Sequence, residues 1–218
     1  MRKYIVVFPG RFQPPHIGHK GVYDYLVKTF GDNKVYIATS DKVDKKKSFL
    51  NFEQKKMLLL DIIGINKNNI LKVINPYKVT DYEDLIDFEN DSIIFAIGEK
   101  DNERLNPDSI NKNGKESYFK TYDKNLDYPA KQHAYVTVIP NQIIDGEVMN
   151  ATLIRGAFFD NDLNLEQKFD VYNKLTGSNN KELFNDIIVK TFKLNENKKL
   201  KFSRLIDNII YKEAKCLK

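Results

Sequence analysis

The sequence predicts an α/β fold: a parallel five-stranded sheet with helices on both faces, followed by a C-terminal helical extension. Three observations predict it. Strand-like and helix-like segments alternate from the first residues, the strand runs are apolar on both faces, and the last third shows only helical stripes. Such alternation with doubly apolar strands is the pattern of a parallel sheet covered on both sides.

Tyr4 to Phe8 is a short β-branched and aromatic run closed by Pro9-Gly10, which reads as a buried first strand entering a turn. Val22, Tyr25, Leu26, Thr29 and Phe30 recur at helical spacing, with Gly31-Asp32-Asn33 as a stop. Lys34 to Thr39 is a second strand. Asn51 with Gln54 three residues on resembles a capping box, opening a helix that carries Met57, Leu58, Leu60 and Ile62 and ends near Gly64. Ile70 to Ile74 reads as a third strand, Tyr82 to Glu89 as a short helix, and Ser92 to Ile97 as a fourth strand stopped by Gly98. From about Leu105 to Lys131 no period is visible, so a long surface excursion near a site is expected. Tyr135 to Ile139, closed by Pro140, is the fifth strand. Two apolar stripes follow: Leu183, Phe184, Ile187, Ile188 and Phe192, then Phe202, Leu205, Ile206, Ile209 and Ile210. The expected division is an α/β core over 1–160 and a helical extension over 161–218 packed on it.

Of the 218 residues, 41 % are hydrophobic and 30 % charged, and no apolar run approaches the roughly 18 residues of a membrane span. The apolar start, Tyr4 to Phe8, is too brief for a signal peptide, so a soluble, cytoplasmic protein without a membrane partner is expected. The single cysteine, Cys216, has no partner for an internal disulfide and no metal-ligand spacing around it. The formal charge of +5 is mild, and the lysines are scattered among asparagines and acids. That distribution argues against a nucleic-acid partner, which would call for a basic stripe with interleaved aromatics. Apolar stripes in the tail leave a homo-oligomer open.

The informative segment is Gly10-Arg11-Phe12-Gln13-Pro14-Pro15-His16-Ile17-Gly18-His19, where the first strand hands over to the first helix. In an open α/β sheet ligands bind at the carboxyl ends of strands, and the start of the following helix offers free N–H groups and a positive dipole end to phosphate. Gly10 and Gly18 allow backbone to approach a ligand closely. His16 and His19, three residues apart on a first helical turn, share one face. A lone histidine here would ordinarily be a satisfied core or surface residue; two of them with glycines at a strand-to-helix junction point to a site.

This His-x-Gly-His pattern resembles the signature of the nucleotidylyltransferase superfamily, which has a Rossmann-like fold. The wider string Gly-Arg-Phe-Gln-Pro-x-His-x-Gly-His is similar to that of archaeal-type nicotinamide mononucleotide adenylyltransferases and their bacterial relatives. The family's second signature, approximately Ile-Ser-x-Thr-x-Ile-Arg, is matched by Met149-Asn150-Ala151-Thr152-Leu153-Ile154-Arg155 at Thr152, Ile154 and Arg155. Asn150 stands where Ser is usual. The resemblance covers residues 1 to about 160.

What the resemblance implies is direct attack by an acceptor phosphate on the α-phosphorus of ATP, with release of pyrophosphate. His16, His19 and Arg155 are then the catalytic set, with Gly10, Arg11, Phe12, Gly18, Gly98, Lys100, Arg104 and Thr152 around the nucleotide. Gln13, Lys47 and Tyr77 are candidates for the acceptor side. Mg²⁺ would bind through substrate phosphates and not through a carboxylate cage. Gly98 to Arg104 can equally be read as a solvated charged turn, and a charge run such as Lys42 to Lys47 is usually a solvated loop. Cytidylyltransferases and phosphopantetheine adenylyltransferases of the superfamily usually show Gly-Thr-Phe-Asp and Gly-Ser-Phe-Asp before the histidines, so Gly-Arg-Phe-Gln favours adenylyl transfer to nicotinamide mononucleotide. Alternatives from the sequence are a cytidylyl or phosphopantetheine-type transferase and a nucleotide-binding module without turnover.

Overall fold

The structure is a computed structural model that describes residues 2–44, 47–110, 112–140, 143–144, 147–148 and 151–194. Met149, Asn150, Cys216 and the second apolar stripe, Phe202 to Ile210, lie outside the described residues. The chain forms two compact units, Met1–Ala151 and Thr152–Lys218.

In the first unit the strands are β1 (Tyr4–Pro9), β2 (Val35–Thr39), β3 (Ile70–Lys72), β4 (Ser92–Gly98), β5 (Phe119–Thr121) and β6 (Ala134–Ile139). They form one parallel sheet in the order β3-β2-β1-β4-β6-β5. The sheet therefore has six strands where the sequence suggests five. The extra strand, β5, lies inside the segment without period: three residues are too few to show alternation, and they are ordered by pairing with β6, Phe119 opposite Ala134. A separate antiparallel pair joins β7 (Ile143–Ile144) to β8 (Glu147–Val148).

Both sheet faces are buried. Ile5, Val7, Ile93, Phe95, Ala134 and Val136 share one core cluster with Val79, Tyr82 and Ile86 from the connection between β3 and β4. Val6, Phe8, Ile94 and Ala96, of opposite parity, are buried as well. Helices α1 (Ile17–Phe30), α2 (Phe52–Ile63) and α3 (Glu99–Leu105) follow β1, β2 and β4. In α1 the buried residues are Gly18, Tyr23, Leu26 and Phe30, so Tyr23 faces inward and Tyr25 outward. In α2, Leu58, Leu59, Ile62 and Ile63 are buried while Met57 and Leu60 stand exposed. The Asn51/Gln54 capping box is formed, and Gly64 ends the helix in the left-handed conformation.

Two expected elements differ. Ile74 is 91 % exposed and outside β3, because its N–H is taken by the Asp81 carboxylate at 2.8 Å and not by a neighbouring strand. Tyr82 to Glu89 is not a helix: a 3-10 turn at Val79–Tyr82 leads into further turns. Acidic side chains capture the backbone donors there, with Asp91 accepting from the Asp87 N–H and Asp87 from the Glu89 N–H, each at 3.0 Å. Such local bonds compete with a helix.

The second unit contains α4 (Ala151–Phe159), α5 (Leu165–Thr176), and α6 (Lys181–Leu183), which runs through a wider-wound stretch, Phe184–Val189, into α7 (Lys190–Phe192). α5 has its own capping box, Asn164 with Gln167, and ends at left-handed Gly177. The stripe Leu183, Phe184, Ile187, Ile188 and Phe192 is buried throughout. Phe184 packs its ring against Phe158, Phe169 and Tyr172 at centroid distances of 6.2, 5.2 and 5.2 Å.

Candidate functional site

Strand order reverses at β1: β2 and β3 lie to one side, β4, β6 and β5 to the other. Outside the carboxyl end of β1 this arrangement leaves the crevice where open α/β sheets bind ligands. The loop from Gly10 to His16 fills that position. Its start is pinned by the Gly10 N–H donating to the Ala38 carbonyl of β2 at 3.0 Å.

The loop is built around Phe12, which is 2 % exposed and takes a φ of +48°. A Cβ at Gly10 would lie 2.8 and 2.9 Å from two carbons of the Phe12 ring, so any side chain there must displace that ring. Phe12 packs edge-on to Phe8 at 5.4 Å and against the His19 ring at 4.8 Å. Gly10 thus admits the aromatic ring that shapes the wall behind His19. Arg11, at the turn, projects into solvent.

His16 is the N-cap of α1, and its backbone N–H donates to Nδ1 of His19 at 3.2 Å. An Nδ1 that accepts fixes the neutral tautomer of His19 with its proton on Nε2. The two imidazoles lie 3.7 Å apart, tilted by 31°. Burial holds the His16 pKa down at about 4, and burial together with the neighbouring His16 holds His19 well below its ordinary value. Both rings are therefore neutral at pH 7. Nδ1 of His16 is buried without a hydrogen-bond partner among the described residues. No acidic side chain sits in the first turn of α1, so its positive dipole end is left uncompensated. The junction thus presents neutral ring nitrogens and the unsatisfied N–H groups of a helix start, a donor set suited to phosphate oxygens.

The other residues singled out from sequence are placed as follows. Gln13 is buried, and its carboxamide pairs with both backbone groups of Leu50. Lys47 is exposed, with its N–H on the Asp44 carboxylate at 2.7 Å. Tyr77 donates its hydroxyl to Asp101 at 2.9 Å, linking the turn after β3 to α3. Gly98 is the N-cap of α3, with open space where a Cβ would stand. Lys100 and Arg104 fall on α3, and their side chains are outside the described residues. Thr152 and Arg155 belong to the second unit, where Arg155 Nη2 donates to Thr152 Oγ1 at 3.1 Å on α4.

Sequence reasoning missed Lys55. It is 1 % exposed on α2 and donates to Thr39 Oγ1 at 3.0 Å and to the Ser40 carbonyl at the carboxyl end of β2. Desolvation lowers its pKa to about 8 against the opposing pull of Asp41. A buried lysine within an apolar helix carries no local signal, since its partners lie on β2. Beside it, a cleft of about 760 Å³ opens among Ser40, Asp41, Lys42, Lys72, Thr80 and Asp81.

A family model described as cytidylyltransferase-like matches residues 7–154, more than half of the chain. The chain belongs to the cytidylyltransferase-like family. That membership places it in the nucleotidylyltransferase superfamily, and the matched span runs from β1 into α4. Among solved structures, the nicotinic acid mononucleotide adenylyltransferase of Plasmodium falciparum complexed with NaAD gives a TM-score of 0.54 at 14 % identity, over 88 % of this chain and 98 % of that one. The same enzyme complexed with APC gives 0.52 over the same shares, also at 14 % identity. A bifunctional NMN adenylyltransferase/ADP ribose pyrophosphatase from Francisella tularensis is 19 % identical, with a TM-score of 0.48, over all of this chain. This cytidylyltransferase-like chain spans only 56 % of that structure. At 14 % identity the likeness to the Plasmodium falciparum enzyme speaks for the fold. No curated protein matches the chain.

Proposed function

We propose that this chain transfers AMP from ATP to a phosphate-bearing acceptor, with nicotinamide mononucleotide as the acceptor that best fits its motif. The observation that carries the reading is the pair of neutral imidazoles at the start of α1, His16 buried and His19 half-buried, beyond the carboxyl end of the central strand β1.

An acceptor phosphate oxygen attacks the α-phosphorus, a P–O bond forms, and the bond to the β-phosphate oxygen breaks to release pyrophosphate. No side chain in the motif is a dedicated nucleophile, and such chemistry depends on alignment and charge stabilisation. His19 offers Nε2–H, and His16 its unpartnered Nδ1 edge, towards phosphate oxygens. The free N–H groups of the first turn of α1 add neutral donors. Arg155 and Thr152 are assigned the β/γ end of the triphosphate on the second sequence signature alone, and Gly98, Lys100 and Arg104 the nucleotide on their place after β4. Lys47 and Tyr77 remain assigned to the acceptor side.

A divalent cation belongs to this reading as a partner of the triphosphate, supplying charge neutralisation when bound. Among the described residues no group of three or more His, Cys, Asp or Glu side chains could hold a metal ion. Among those residues, too, no helix is long and apolar enough to cross a membrane. The choice of acceptor rests on Arg11 and Gln13 within the string Gly10 to His19.

The test is a pyrophosphate-release screen of ATP and CTP against nicotinamide mononucleotide, phosphopantetheine, choline phosphate and glycerol phosphate. ATP with nicotinamide mononucleotide is expected to give the highest kcat/KM. A higher value for CTP with an alcohol phosphate would refute the acceptor and base assignments.

A further inference from the structure

We propose that Gln13 is a positioning residue, a latch that fixes the histidine loop to the segment leading into α2, and not a ligand of the acceptor. The inference deepens the proposed transfer reaction and rests on it for its kinetic consequence.

The geometry is reciprocal. Gln13 Nε2 donates to the Leu50 carbonyl and Leu50 N–H donates to Gln13 Oε1, each at 2.8 Å. Gln13 is 3 % exposed and Leu50 fully buried. Leu50 lies outside any strand, immediately before the N-cap Asn51, so its backbone groups have no sheet ladder to join. A carboxamide carries a donor and an acceptor side by side and so matches both backbone groups of Leu50 without taking on charge at any pH. Buried polar backbone left unmatched is costly, so the pair is specified and not incidental.

What the latch joins gives it consequence. On one side Gln13 lies between Phe12, which packs on His19, and the Pro14-Pro15 step into His16. On the other side Leu50 precedes Asn51 and Phe52, and the Phe52 N–H is held by the Asp41 carboxylate at 2.7 Å. The segment between β2 and α2, which carries Lys47, is therefore anchored to the loop that carries the imidazoles. Displacing one displaces the other.

The experiment is the substitution Gln13→Glu in the full chain, compared with wild type from pH 5 to pH 8. A protonated carboxyl keeps both bonds, its O–H donating to Leu50 O and its C=O accepting from Leu50 N–H. An ionised carboxyl has no donor and faces the Leu50 carbonyl. Burial raises a carboxyl pKa, so the folded variant holds its proton above the unfolded value of about 4.3. Its stability deficit against wild type is then smallest near pH 5 and grows as pH rises through the folded-state pKa. The expected result is a Tm difference that widens with pH, and a kcat that falls relative to wild type by about tenfold across the range as the loop carrying the imidazoles loses its anchor.

A Tm difference that does not change with pH would overturn the latch, as would a variant whose sole defect is a raised KM for the acceptor. If Gln13→Glu does not fold at any pH, Gln13→Met fills the space with neither donor nor acceptor, and faster hydrogen exchange at the Leu50 amide is then expected. Unchanged exchange there would equally overturn the proposal. Should no acceptor give turnover with wild type, the transfer reading fails, while the stability and exchange comparisons still decide the latch.

Discussion

The backbone N–H of His16 donates to Nδ1 of His19 across 3.2 Å, and the two rings lie 3.7 Å apart. The helix start thereby fixes the tautomer of one imidazole and stacks it on the other. Burial lowers the proton affinity of both, and His16 lowers that of His19 further, so both rings are neutral at pH 7.

Removing either ring is expected to cost turnover more than folding. His19→Ala and His16→Ala should each lower kcat about a hundredfold, since a preorganised donor to developing charge is typically worth several kcal/mol. Near-normal kcat with the best substrate pair, in a variant with wild-type circular dichroism, would remove that histidine from the catalytic set.

The pH dependence of stability follows from the same burial. The folded pKa of His16, about 4, lies below its unfolded value of 6.5, so the unfolded chain binds the extra proton first. The contribution is complete above pH 6.5 and is lost as pH falls towards 4, and His19 acts in the same direction. Chemical denaturation of wild type should show stability falling across that window. In His16→Gln the fall should be shallower; an equal slope would show that His16 does not titrate in this way.

Gly10→Ala is expected to destabilise the first unit by about 1–3 kcal/mol, because the added methyl meets the Phe12 ring at 2.8 Å and forces it from its place against His19. Urea unfolding measures the loss, and kcat should fall with it. A variant as stable and active as wild type would mean that the ring yields without cost.

Much of this was legible in local sequence. Tyr4 to Phe8, the string Gly10 to His19 and the Asn51/Gln54 capping box depend on neighbours within a few residues, and the structure forms β1, the loop and α2 there. What failed to show is non-local. β5 exists through its pairing with β6, Gln13 finds its partner 37 residues away at Leu50, and Lys55 finds Thr39 on another element. The helical pattern at Tyr82 to Glu89 misleads because Asp87 and Asp91 take the backbone donors. The tail stripe from Leu183 to Phe192 was legible because its apolar residues recur at helical spacing, and each of them is buried.

Arg155 is assigned to the triphosphate by signature, and Arg155→Lys keeps its charge while losing the planar fork. Nucleotide affinity should fall about tenfold, as expected for a bidentate contact reduced to a point charge. Calorimetric titration with a non-hydrolysable ATP analogue measures it, and unchanged affinity would exclude Arg155 from the site.

Adenylyl transfer by direct displacement is tested most directly by following the α-phosphorus itself. With ATP radiolabelled at the α-phosphate and nicotinamide mononucleotide, the label is expected to appear in the dinucleotide in step with pyrophosphate release, with none on the denatured protein, and His19→Ala should slow both together by about a hundredfold. Label that stays in ATP with every acceptor, or that accumulates on the protein, would contradict the account.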